Sequence, residues 1–145
     1  MNYWVIDANI AVQTVFDLTE ELERFWENVE KDQITPCAPR LWLSETTSAI
    51  RSLVSQKYIT SDQAEQALRT VHGLHVEMID EDEDISLRAL ELAGKLGQSK
   101  AYDAFYLAVS EKLAVEFWTD DERLVNRCRK DLGLNWVHSI SELKK

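Results

Sequence analysis

The spacing of apolar and polar positions along this chain changes several times, and each change marks an element. Tyr3-Trp4-Val5-Ile6 is a short, β-rich apolar run that stops at a carboxylate, Asp7, with Asn9 two residues further on. It predicts a buried strand that delivers Asp7 at its C-terminal end. From Leu18 to Lys31 the apolar residues Leu22, Phe25, Trp26 and Val29 recur with a helical period. Ile34 to Pro39 predicts a second strand, kept brief by Pro36 and Pro39. Leu41 through Leu53 and Val54 predicts a helix in which Glu45 falls four residues after Leu41 and four before Ala49, on a face of small and apolar neighbours. Two readings of Glu45 stand at this point: a side chain snorkelling to solvent at the helix edge, or a carboxylate with a partner.

Further along, Thr60-Ser61-Asp62 caps a helix running to about Val71, and His75 to Ile79 alternates like a strand. Ile85 to Leu96 carries Leu87, Ala89, Leu90, Leu92 and Ala93 at helical spacing, and Gly97 ends it. A helix starting near Ala101 is apolar on nearly every face, the mark of a buried helix, with Asp103 in its first turn where the macrodipole favours an anion. Taken alone, Asp103 reads as a helix cap. Val115 to Trp118 predicts a strand that ends in Thr119-Asp120-Asp121, followed by a helix from Glu122 to Leu132, a short strand at Trp136-Val137 and a small terminal helix from Ser141 to Lys145. Strands that alternate with helices imply an α/β fold of three layers, a central and mostly parallel sheet covered on both faces. The chain shows no repeat or linker, and its 145 residues suit one domain over 1–145 with a single core.

Composition narrows the class. Four Gly, two Pro and 45% hydrophobic residues fit a helix-rich globular protein. No apolar run approaches the roughly 20 residues of a membrane span, and the first residues lack the basic and apolar regions of a signal peptide, so a cytoplasmic location is expected. Cys37 and Cys128 lie outside any metal-ligand spacing and read as reduced core thiols. The net charge of −10 runs against a nucleic-acid partner. Its distribution softens that objection. Setting aside the five acids of Asp80 to Asp84, which read as a capped and solvated helix start, and the four site candidates below, 17 of the 26 acidic residues remain against 16 basic ones.

Two strands end in carboxylates. If they are neighbours at the sheet centre, Asp7 and Asp121 converge at one edge, joined by Glu45 and Asp103 from helix starts. Two unit charges at 4 Å interact by about 4 kcal/mol at an effective dielectric of 20, so four carboxylates gather only around cations. Oxygen ligands alone select Mg²⁺ or Mn²⁺ over zinc, and His72, His75 and His138 lie outside every acid motif.

Four stretches together match a known family: Val5-Ile6-Asp7-Ala8-Asn9; Pro39 through Glu45 with the following Ser48; Tyr102-Asp103-Ala104-Phe105-Tyr106-Leu107-Ala108; and Trp118-Thr119-Asp120-Asp121 followed by Leu124. In this order and spacing, over nearly the whole chain, the sequence resembles a PIN domain, in particular the stand-alone VapC-type toxin ribonucleases. The resemblance implies a PIN-like α/β/α fold. It makes Asp7, Glu45, Asp103 and Asp121 the metal-binding, catalytic acids, with Asn9 and Thr119 as polar residues that orient them. The family's strand-end pattern of Thr, any residue, Asp selects Asp121, leaving Asp120 as a solvated neighbour. The implied activity is Mg²⁺- or Mn²⁺-dependent hydrolysis of RNA phosphodiester bonds by in-line attack of water, on single-stranded or looped RNA. The implied partners are a cognate antitoxin and a second copy in a homodimer.

Arg40, Arg51, Lys100 and Arg123 lie near the motifs and could contact phosphates, although each reads first as a surface ion pair. Trp4, Trp42 and Trp118 read as core rather than as base-stacking platforms, since each sits in an apolar run. Two other classes of function remain in view. A small-molecule phosphatase using Asp7 as nucleophile would need an acid at position 9, where Asn9 stands; a non-catalytic binding module is supported only by the acidic surface.

Overall fold

A computed structural model describes residues 2–143. Its framework is a sheet of five parallel strands in the order β3-β2-β1-β4-β5, formed by β1 (Asn2–Ile6), β2 (Ile34–Pro39), β3 (Glu77–Ile79), β4 (Glu116–Thr119) and β5 (Val137–Ser139). The connecting helices are α1 (Ala8–Phe16), α2 (Glu20–Lys31), α3 (Leu41–Ser55), α4 (Ser61–His72), α5 (Glu83–Lys95), α6 (Tyr102–Leu113) and α7 (Glu122–Leu132), and a 3₁₀ turn follows at Ile140–Leu143. Among the described residues no helix is long and apolar enough to cross a membrane.

Successive strand residues face opposite sides of the sheet, and the two central strands show it. Val5 of β1 and Phe117 of β4 join a large apolar cluster with Leu92 of α5 and Leu107 of α6. Their neighbours Ile6 and Trp118 join a smaller cluster with Leu22 and Phe25 of α2. Helix α6 is the buried one: Ala104 and the run from Tyr106 to Ser110 are all hidden, and the Tyr106 ring stacks on Phe117 with centroids 5.7 Å apart. Trp42 and Trp118 are core residues, as their apolar settings imply. So are Cys37 and Cys128, free thiols that burial pushes up to about 12 and about 11 respectively.

The chain runs from β1 outward through β2 to β3, then returns across α5 and α6 to place β4 on the other side of β1. The direction of winding therefore reverses between β1 and β4. In open α/β sheets the crevice at such a reversal, beyond the strands' C-terminal ends, is where ligands bind. Asp7 and Thr119 stand at that point.

Several boundaries differ from the sequence pattern, each for a local reason. Residues 8–16, where the pattern predicts no helix, form α1 with Asp7 as its N-cap. Its apolar residues serve both clusters, Ile10 on one side and Ala11 on the other, so no single stripe is visible. Strand β3 starts only at Glu77, because His75 has a left-handed backbone (φ 55°). Strand β4 starts after Val115, whose N–H is used on Ser110 O to close α6. Strand β5 extends to Ser139 rather than ending at Val137. The expected terminal helix is the 3₁₀ turn, and its last two residues lie outside the described ones. Gly97 does end α5: at φ 66° it lets Gln98 N–H reach Ala93 O, the left-handed closure that favours glycine.

The acidic run does more than solvate a helix start. Asp80 pairs with Arg40, the Glu81 carboxylate accepts from Leu41 N–H at 2.8 Å, and Asp82 caps α5 through Ile85 N–H at 2.8 Å while pairing with Lys112 of α6 at 2.6 Å. Three adjacent acids thus fasten the start of α3 and the body of α6 to the start of α5.

Candidate active site

Where β1 ends, the Asp7 N–H still donates across to Trp118 O at 3.3 Å, so the residue is held in strand register. Its side chain then turns to start α1. Oδ1 accepts from Ile10 N–H at 3.1 Å, and Oδ2 accepts the hydroxyl hydrogen of Thr119 from the neighbouring strand. The Trp42 indole N–H donates to the Asp7 carbonyl at 3.2 Å, tying the same residue to α3. Thr119 is fully buried, and its oxygen also accepts from Asp121 N–H at 3.0 Å. One hydroxyl therefore fixes both the Asp7 carboxylate and the backbone turn leading into α7.

A cavity of about 470 Å³ opens beside Asp7. Asp7, Glu45 and Asp103 line it together with Asn9, Ser48 and Tyr106, and no Lys, Arg or His does. Glu45 faces it from the second turn of α3, where its Oε1 accepts from the buried Tyr106 hydroxyl at 2.5 Å. This settles the two readings of Glu45 in favour of a partnered carboxylate. Asp103 enters from the first turn of α6, and its Oδ2 accepts from the Gln98 amide at 3.2 Å. No side chain caps α6, so Asp103 is not the cap that its position alone suggested.

Asp121 stands apart. It is exposed, outside the cavity lining, and acts as the N-cap of α7 through Leu124 N–H at 3.1 Å. Asp120, expected as a solvated neighbour, is the more enclosed of the doublet. Its Oδ2 accepts from Gln13 at 2.6 Å, Asn9 also hydrogen-bonds to it, and its Oδ1 is buried without a partner. The only sequence signal for it was the doublet itself, and nothing in the pattern of α1 announced Gln13.

Crowding of like charge shows in the protonation of these groups. Enclosure first, and then the charges of Asp120 and Asp103, push the Asp7 carboxyl up from 3.8 to about 7, against the opposing hydrogen bonds from Thr119 and Ile10. Enclosure also raises Glu45, with Asp103 and Glu81 adding to it and the Tyr106 hydroxyl opposing. Asp103 is raised by enclosure and by Asp121, and Asp120 likewise. The buried Tyr106 hydroxyl is raised as well, by enclosure and by the Glu45 carboxylate it serves, so it remains a donor.

An oxygen-only donor set, mutual repulsion and a lining without a basic side chain suit a hard divalent cation; Asp120, like Asp121, lies outside that lining. As the side chains stand, no three His, Cys, Asp or Glu groups among the described residues close on a common point. Each acid is instead held by a protein donor: Asp7 by Thr119, Glu45 by Tyr106, Asp103 by Gln98. A cation would draw on oxygens that these bonds leave free, or displace the weaker of them.

Of the four basic residues near the motifs, Arg40 forms an ion pair, with Asp80. Among the described residues Arg51, Lys100 and Arg123 have none, and all three are exposed.

The same architecture recurs in solved structures of low sequence identity. VapBC2 from Rickettsia felis bound to a promoter DNA fragment superposes with a TM-score of 0.70 at 16% identity, over 94% of this chain and 98% of that one. DNA-bound VapBC from Salmonella typhimurium gives 0.67 at 19% identity, over 97% and 99%. A toxin–antitoxin complex from Klebsiella pneumoniae gives 0.60 at 20%, over 94% and 96%. At these identities the likeness is one of fold. No curated protein matches the sequence. Residues 4–130, a span that includes all four candidate acids, match the PIN domain, and the chain belongs to the PIN domain family.

Proposed function

We propose that this protein is a Mg²⁺- or Mn²⁺-dependent ribonuclease that hydrolyses RNA phosphodiester bonds and serves as the toxin of a toxin–antitoxin pair. The observation that carries the reading is the cavity lined by Asp7, Glu45 and Asp103 with no basic side chain among them. Asp7, Glu45 and Asp103 would hold the cation, with Asp121 or Asp120 at the rim. When bound, the cation supplies Lewis-acid polarisation of the phosphoryl group and activation of water.

The chain's own residues set the conditions for that chemistry. Thr119 and Ile10 N–H hold the Asp7 carboxylate in one orientation, so its remaining lone pairs point at a fixed place without reorganisation. Tyr106 does the same for Glu45. The like charges that help hold the Asp7 carboxyl up to about 7 are the ones a bound cation would offset. Negative walls repel a phosphodiester unless a cation is present, which couples substrate entry to cation binding.

The structural neighbours are VapBC toxin–antitoxin assemblies, which supports an antitoxin partner. A homodimer is supported by α5, where Leu87 and Leu90 lie one turn apart and are 57% and 68% exposed, an apolar face that water does not favour.

The test is hydrolysis of single-stranded RNA with and without Mn²⁺, in the wild type and in Asp103→Asn. Since Asp103 caps nothing, its replacement leaves the helix intact, and cleavage should fall by orders of magnitude in a protein that folds and, without metal, melts no lower than wild type. Wild-type rates for Asp103→Asn in excess Mn²⁺ would remove this residue from the site and undercut the nuclease reading.

A further inference from the structure

A second cavity of about 480 Å³ adjoins the acid pocket. The two share Glu45, Tyr102 and Asp103, but the second has the opposite character on its far wall, where Lys100 and Arg127 stand with Gln98 and Ser99. Lys100 is exposed and, among the described residues, has no ion pair. Arg127 touches Leu96 O through one guanidinium nitrogen and holds Asp131 only loosely, at 3.7 Å, so several of its five N–H donors are free. Tyr102, 57% exposed, lies on the ridge between the cavities and lines both. Gln98 commits its amide N–H to Asp103, while its Oε1 is buried with no donor, an acceptor left over beside the cavity.

This sets an acidic chamber suited to a cation next to one that carries both signs, with Glu45 and Asp103 on the shared wall, Lys100 and Arg127 on the far wall where an anion fits, and an exposed ring between. A single-stranded nucleic acid has matching parts: a scissile phosphate that needs the cation, a neighbouring phosphate a nucleotide away, and a base between. We propose that the second cavity seats the nucleotide adjoining the scissile bond, with Lys100 and Arg127 on its phosphate and Tyr102 stacked on its base. The assignment rests on the ribonuclease reading of the acid pocket and adds the residues that position the strand. Lys100 and Arg127 neutralise phosphate without reading sequence. Stacking on Tyr102 tolerates any base. The subsite therefore provides affinity and register rather than sequence selection, which falls to other surfaces. It also offers a polyanionic substrate two cations beside the acid pocket in a chain whose net charge is −10.

The experiment measures binding of a fluorescein-labelled single-stranded RNA to the full chain carrying Asp7→Asn, in Mg²⁺, as a function of salt. Lys100→Gln and Arg127→Gln should each flatten the slope of log affinity against log salt by about 0.7, the value for one phosphate contact on a single strand. Tyr102→Leu should weaken binding roughly five- to hundredfold with the slope unchanged, and Tyr102→Phe should restore it. In the active protein the same changes should raise KM more than they lower kcat. Lys100 and Tyr102 are exposed, so their variants report even if Arg127→Gln loosens its contact with Leu96. Unchanged slopes and affinities, in a protein whose wild type cleaves RNA with Mn²⁺, would overturn the subsite and leave the nuclease reading standing. Absence of both binding and cleavage in the parent proteins would overturn the two together.

Discussion

Asp7 and Asp121 occupy the same local position in two adjacent parallel strands. Each follows a central strand closely, each is the N-cap of the next helix, and each accepts from the N–H three residues on, at 3.1 Å in both cases. Their surroundings divide them. Asp7 is enclosed, faces Asp120 and Asp103, and is pushed up to about 7; Asp121 is exposed at the start of α7. A cap needs only an oxygen in the right place. A cation site needs charge held against its own repulsion, and only Asp7 shows that condition in full. The comparison teaches that two carboxylates with one local geometry differ in chemistry through what lies across the sheet from them.

The largest effect that sharpens the contrast is on activity. Asp7→Asn should abolish Mn²⁺-dependent RNA cleavage while keeping the α1 cap, because Asn caps about as well as Asp; a rate within tenfold of wild type would break the contrast at its stronger end. Next in size is the dependence of stability on pH. Below 3.8 the Asp7 carboxyl is protonated in both the folded and unfolded chain. Between 3.8 and about 7 the unfolded chain has released a proton that the folded chain keeps, so metal-free stability should fall as pH rises through this window and level off above it. The fall amounts to as much as about 4 kcal/mol, and the raised Glu45, Asp103 and Asp120 act in the same direction. Urea unfolding without metal from pH 4 to 8 would show it, and Asp7→Asn should flatten the curve. A stability that climbs with pH in EDTA would contradict the crowding of acids described above.

Thr119→Val should cost about 1–3 kcal/mol, since it leaves Asp121 N–H without its acceptor and Asp7 without its donor. Losing that donor should also raise the metal-free Asp7 carboxyl further, moving the pH window of the stability loss upward; a window that stays in place would show that the hydroxyl serves only the turn. Asp120→Asn should shift the same window downward by removing a like charge from Asp7. The smallest expected change is Asp121→Asn, with stability within about 0.5 kcal/mol of wild type because the cap survives. Its effect on cleavage, set beside that of Asp120→Asn, decides which member of the doublet the cation uses.

Much of this was legible in the sequence where one physical demand acted on one stretch. An apolar run ending in an acid marked β1 and Asp7, and the charge-free helix behind Asp103 marked α6 as the buried element. Residues 8–16 failed because two demands met there: Ile10 and Ala11 face different clusters, which erases the stripe on which a helical reading depends. The reading of Asp120 as a solvated neighbour failed for a related reason. Which of two neighbouring acids turns inward depends on Gln13 and Asn9 across the turn, and adjacency in sequence carries no trace of that. Glu45 was undecided until its partner appeared 61 positions away, at Tyr106.

The three acids at Asp80, Glu81 and Asp82 bear on the cavity without touching it. They fasten α3, which carries Glu45, to α6, which carries Asp103, through Arg40, Leu41 N–H and Lys112. Both helices wall the chamber, and two of the three fastenings are exposed ion pairs, individually weak and screened by dissolved salt. The third, the Glu81 carboxylate on the Leu41 N–H, is the one that added salt touches least, so the tie to the helix carrying Glu45 rests on a backbone hydrogen rather than on a pair of charges.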